Sequence, residues 1–141
     1  MQLPHHLPLR AVVRTTVVAA IAVATFTACG GESAPEPPLS AAAEAGREIM
    51  RTNGCAACHG RNGQGGPGPA FTGLFGSTVE LADGTTVVAD ADYLFESIRD
   101  PSAKIVAGYG VPMPGNNLSD AEIESVIAYI EALAGSAGTT G

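Results

Sequence analysis

Cys55, Cys58 and His59 are the residues with the most chemistry to offer, set in the run Cys55-Ala56-Ala57-Cys58-His59. Two thiols three positions apart reach the two vinyl groups along one edge of a porphyrin. The adjoining imidazole then falls under the ring centre, where it can ligate iron. This is the spacing of covalent haem attachment. A Cys-x-x-Cys pair serves two other chemistries, a redox disulfide and half of a zinc site. The inventory argues against both. The chain has 3 cysteines and 3 histidines, and beyond the motif these are Cys29, His5 and His6, all near the N-terminus. Only carboxylates remain to complete a four-ligand zinc site. No βαβ pattern surrounds the motif, as a thioredoxin-like site requires. The expected cofactor is a single, covalently bound haem c.

A second iron ligand must then come from elsewhere. With histidine exhausted, methionine is the natural candidate. Met50 and Met113 remain once Met1 is set aside with the leader. Met50 lies nine residues before His59, in the apolar stripe of a helix, and is expected in the core. Met113 sits in Gly110-Val111-Pro112-Met113-Pro114-Gly115. Its flanking prolines exclude helix and fix the local backbone, so the loop can present one side chain inward. A merely packed methionine is the alternative. Methionine opposite histidine raises the reduction potential. It also closes the coordination sphere, which favours electron transfer over oxygen or peroxide chemistry.

The elements that must position these ligands are legible. Ser40 caps an expected helix running to about Asn53-Gly54, with Ala42, Ala45, Gly46, Ile49 and Met50 on one face. A second is expected over Asp92 to Arg99, with Leu94, Phe95 and Ile98 inward and Asp100-Pro101 as its stop. The last is the best signalled. Ser119 with Glu122 forms a capping box, Leu118 with Ile123 a hydrophobic staple, and Gly135 a stop. Its stripe is Ile123, Val126, Ile127, Ile130, Leu133 and Ala134. Between them, Thr78 to Val88 reads as a β-hairpin with Asp83-Gly84 in a type I′ turn.

The flanks are simpler. Residues 1–28 read as a targeting segment, with Arg10 and Arg14 before an uncharged run of 14 residues from Thr15 to Ala28. A membrane span needs ~20. Phe26-Thr27-Ala28-Cys29-Gly30 resembles a lipoprotein cleavage site, which makes Cys29 the acylated N-terminus. An ordinary secretory signal and an uncleaved anchor are the alternatives, and all three export the domain. Residues 29–39 form a Pro/Gly/acidic linker, residues 40–134 the folded domain, and residues 135–141 a core-poor tail. Without the leader, five basic residues face fourteen acidic ones, a net of −9. That excludes nucleic acid as a partner. It favours redox partners with basic docking patches.

As a set, the motifs resemble class I cytochrome c. More closely, they are similar to the cytochrome c domain fused to subunit II of some bacterial haem-copper oxidases. The resemblance covers about Ala43 to Leu133. It is carried by Gly54 to Gly60, Thr72-Gly73-Leu74-Phe75-Gly76, Leu81 to Val87, Ser97-Ile98-Arg99-Asp100-Pro101 and Ile105 to Pro114. It implies an all-α fold around one haem, with crossed first and last helices and a small β-hairpin insertion. Gly46 would sit at the crossing, with Tyr129 on the opposing helix. A proline carbonyl would accept from His59, that of Pro69 or alternatively Pro67. Arg99 and Tyr109 would meet the haem propionates; a solvated helix-end charge and a core aromatic are their other readings. The chain lacks the further histidines and cysteines of the dinuclear copper centre in that subunit. The implied function is a membrane-tethered carrier of single electrons, not an enzyme. It would take electrons from a quinol-oxidising complex or a cytochrome and pass them to a terminal oxidase or reductase. Its place would be a bacterial membrane, facing the periplasm or cell exterior. The alternatives are a haem subunit held in a dehydrogenase or respiratory complex and a small haem peroxidase.

Overall fold

The chain divides into two units between Pro35 and Glu36, and the computed structural model describes residues 38–135, all in the second. The leader, Cys29 and the linker up to residue 37 lie outside the described residues, as does the tail from residue 136. The described part holds four helices and one two-stranded sheet. They are α1 (Ala41–Thr52), α2 (Ala56–His59), β1 (Thr78–Glu80), β2 (Thr86–Val88), α3 (Ala91–Arg99) and α4 (Asp120–Ala134). No described helix is long and apolar enough to cross a membrane.

Helix α1 starts where Ser40 Oγ accepts the Ala43 N–H at 3.1 Å and ends at Asn53. Its buried face is Ala43, Gly46 and Met50, with Ile49 half-buried. Ala42 and Ala45 are exposed, which corrects the expected stripe. Alanines occupy so many positions here that periodicity cannot choose a face. The neighbouring helix chooses it instead. A Cβ on Gly46 would lie 1.9 Å from the Ser125 carbonyl oxygen of α4, so only glycine permits this approach. Gly46 therefore marks the crossing of α1 and α4, and Tyr129 is buried on α4. Leu39, expected in the linker, packs against the core.

Helix α4 carries its full capping box, with reciprocal bonds between Ser119 and Glu122. Leu118 and Ile123, the staple pair, are both buried, and so are Val126, Ile127 and Ile130. Helix α3 is capped by Asp90, whose carboxylate accepts the Tyr93 N–H at 2.9 Å. Its buried face is Tyr93, Leu94 and Ile98, and Phe95 is only half-buried. Tyr93 was thus missing from the expected face.

The hairpin pairs Thr78 with Val88, Val79 with Val87 and Glu80 with Thr86, antiparallel. Its turn differs from the expected type I′. The Gly84 N–H donates to Leu81 O at 2.9 Å, so Ala82 and Asp83 are the central pair and Gly84 follows at φ +84°. Asp83 decides this, because its Oδ1 accepts from both Thr85 N–H and Thr85 Oγ. That aspartate turn closes a three-residue loop ending in a left-handed glycine, the next commonest hairpin connection.

Candidate functional site

Helix α1 ends at Asn53, and Gly54 at φ +81° redirects the chain into the motif. Helix α2 is a single turn, closed where the His59 N–H donates to Cys55 O at 2.9 Å. Cys55 and Cys58 are half-buried free thiols. Burial, the main cause, pushes the Cys55 thiol up from its ordinary value. His59 is 8% exposed, and it is the buried polar residue of an otherwise apolar set.

The ring of His59 is fixed from two sides. Its Nδ1 lies 2.8 Å from the Pro69 carbonyl. A carbonyl oxygen only accepts, so Nδ1 carries the hydrogen, which leaves Nε2 as the nitrogen available to a metal. The Phe71 ring stacks on the imidazole at 4.5 Å between centroids and 25° between planes. Pro69 holds the carbonyl role, and Pro67 lines the cavity without it. The loop itself is tied back to the motif, since Gly68 N–H donates to Cys58 O at 3.0 Å.

Around these groups lies a cavity of about 700 Å³. Cys55, Cys58, His59, Pro69, Tyr109 and Met113 all line it. The chain segments that meet there come from α2, the 67–74 loop, β1, α3, the 105–116 segment, and Leu118 with the Val126 and Ile130 face of α4. Met113 is half-buried on this wall. Met50 is not on it; that side chain is fully buried in the core, as its helical stripe implied. Tyr109 lines the cavity and is 40% exposed, so it is not a core aromatic.

Arg99 is elsewhere. It does not line the cavity; its guanidinium donates to Leu118 O at 2.8 Å and pairs with Asp120. It also lies 5.7 Å from the centre of the Phe95 ring. In the structure Arg99 thus has protein partners at the junction of α3 and α4, beside the role toward a haem propionate that the resemblance implies. The Asp120 carboxylate lies at the start of α4, so Arg99 joins the end of α3 to the start of α4.

Sequence reasoning also missed Ser97. Its Oγ is buried on the cavity wall with no hydrogen-bond partner. An interior helical serine normally bonds its own backbone or water, and an orphaned buried hydroxyl is costly. The detectable signal was its place three residues after Leu94, a polar residue on an apolar stripe. The donor set fits haem c: two thiols three apart, one imidazole with Nε2 available, one thioether, and an unmatched hydroxyl in a largely apolar cavity. Cys55 and Cys58 would hold the group covalently, and His59 would ligate its iron.

Comparison with known proteins agrees. The family model for cytochrome c matches residues 43–134, most of the chain. No curated protein matches the chain. The matched segment runs from the first turn of α1 to the last residue of α4, and so includes the motif, the cavity and Met113. The chain belongs to the cytochrome c family: it is an electron-carrying protein of the class I fold, with covalently bound haem c.

Proposed function

We propose that this chain shuttles single electrons in a respiratory chain, tethered through acylated Cys29 to the outer face of a bacterial membrane. The observation that carries the reading is that His59 and Met113 line one cavity. Bound haem supplies a one-electron ferric–ferrous couple. The protein's own residues set its behaviour. Pro69 fixes the ring of His59 and increases its basicity, as partners behind a ligand do. Met113, also on the cavity lining, would supply the second iron ligand, which would leave no open position for oxygen or peroxide and favour the reduced state. Tyr109, at the cavity wall, is placed to meet a haem carboxylate.

The likeness to the cytochrome c domain of oxidase subunit II favours a terminal oxidase as acceptor. Charge supports a basic partner. Of the five basic residues in the described part, Arg47, Arg51, Arg99 and Lys104 are each matched to a carboxylate. The uncompensated surface charge is therefore acidic, and docking should be steered by it. The test is turnover with a purified oxidase across ionic strength. Rates that fall with salt support the shuttle, and rates indifferent to salt contradict it. Carbon monoxide separates the carrier from a peroxidase, because a reduced protein closed by Met113 binds it poorly.

A further inference from the structure

We propose that the β-hairpin and Asn116 are positioning devices for Met113, gripping the loop that carries it at both ends. The proposal rests on Met113 as the second iron ligand.

The hairpin has a third partner. Ala82 N–H donates to Ile105 O at 2.8 Å, Ala107 N–H donates to Glu80 O at 2.9 Å, and Leu81 bridges Val106 antiparallel. Residues 105–107 thus lie along the hairpin as a short added strand. The hairpin is itself rooted, because Val79 and Leu81 are buried in the core. A two-stranded hairpin is marginal alone, and the core and the added segment complete this one. Six residues beyond Ala107 comes Met113.

The other end is held differently. Asn116 Nδ2 donates to Ile98 O at 2.6 Å, and its Oδ1 accepts the Leu118 N–H at 3.1 Å. Arg99 then donates to Leu118 O at 2.8 Å. Asn116 therefore spans the end of α3 and the entry to α4, and Arg99 closes the same clasp. A turn at Ala107–Gly108 follows the first grip, and beyond it no hydrogen bond ties residues 110–115 to another described residue. Pro112 and Pro114 restrict two φ angles there. Where the sulfur sits is otherwise decided by packing and by the two anchored ends. A loop released at either end gains conformations, and Met113 then leaves the iron more often.

Two substitutions separate the grips. Ala82 is the second residue of the Leu81–Gly84 turn, a position that favours proline. Ala82→Pro keeps the turn and deletes the N–H that donates to Ile105. Asn116→Ala removes the opposite clasp without touching the hairpin. The measurement is the rate at which imidazole displaces methionine from the ferric holoprotein. It is followed by loss of the weak long-wavelength band of methionine-ligated haem. Ala82→Pro should exchange about fivefold faster than wild type, the factor expected for one lost hydrogen bond, and Asn116→Ala, which loses two, about 25-fold faster. The double variant should multiply the two effects, since the grips share no partner. Far-UV circular dichroism should not change. Wild-type exchange rates in both single variants overturn the proposal and leave Met113 as ligand. A wild-type protein without the band overturns the ligand assignment and the grips together.

Discussion

Helices α1 and α4 meet backbone to backbone at Gly46 and Ser125, with the fully buried Met50 and Ile123 in the same core. The cavity, by contrast, is lined by the 67–74 and 105–116 segments together with faces of α3 and α4, and Ser97 Oγ there has no hydrogen-bond partner among the described residues. One region is finished by the polypeptide alone. The other is shaped around something the polypeptide does not supply. The difference assigns stability to the helix crossing and redox chemistry to the wall. Changes at the crossing should alter unfolding without altering iron ligation, and changes at the wall should do the reverse.

The largest break comes from Gly46→Leu. Its Cβ would strike the Ser125 carbonyl, which belongs to a helix backbone and cannot swing aside. Overpacking of this kind should cost about 3 kcal/mol or more, read as a lowered guanidinium midpoint. The spectrum of the folded fraction should stay that of wild type. A variant as stable as wild type would show that the helices are not pressed together at Gly46.

Phe71→Leu tests where the two regions join, because Phe71 is 6% exposed and also stacks on His59. Losing the aromatic pair should cost about 1.5 kcal/mol. It should also move the reduction potential, since the imidazole loses one of its two restraints. A stability loss with an unmoved potential would confine Phe71 to packing.

Ser119→Ala removes a cap far from the iron. The expected loss is about 1 kcal/mol, with ligation and potential unchanged. The smallest effect is Glu122→Gln. The Ser119 N–H and hydroxyl hold the Glu122 carboxyl below its ordinary value of 4.5. The folded value is the lower one, so this contact contributes fully above the ordinary value and is lost as pH falls through the folded value. Glu122→Gln should therefore flatten the acid side of a stability–pH curve slightly. Identical slopes in variant and wild type would remove Glu122 from acid unfolding.

Much of this was legible in the sequence, for identifiable reasons. Haem attachment, the caps at Ser40 and Ser119 and the stop at Gly135 are local chemistry, written in neighbouring residues. The likeness of the chain to cytochrome c carried the Gly46 crossing and the Pro69 carbonyl, both of which lie between distant segments. What stayed hidden depends on competition. Ala43 outranks Ala42 and Ala45 only because α4 approaches that side. The Arg99 contacts with Asp120 and Leu118 O join segments far apart in the chain, so its neighbours in sequence did not announce them. Asp83 took the hairpin turn away from a type I′ geometry through two bonds to Thr85. Asn116 gave no signal, since an asparagine after Pro-Gly reads as ordinary loop.

The central claim is that His59 and Met113 together close the iron. The visible spectrum of the ferric holoprotein, for wild type and for Met113→Ala, tests it most directly. Wild type should show the weak long-wavelength band of methionine ligation, and Met113→Ala should lose it, gain carbon monoxide binding when reduced, and fall in potential. A variant with the wild-type spectrum and potential would contradict the claim.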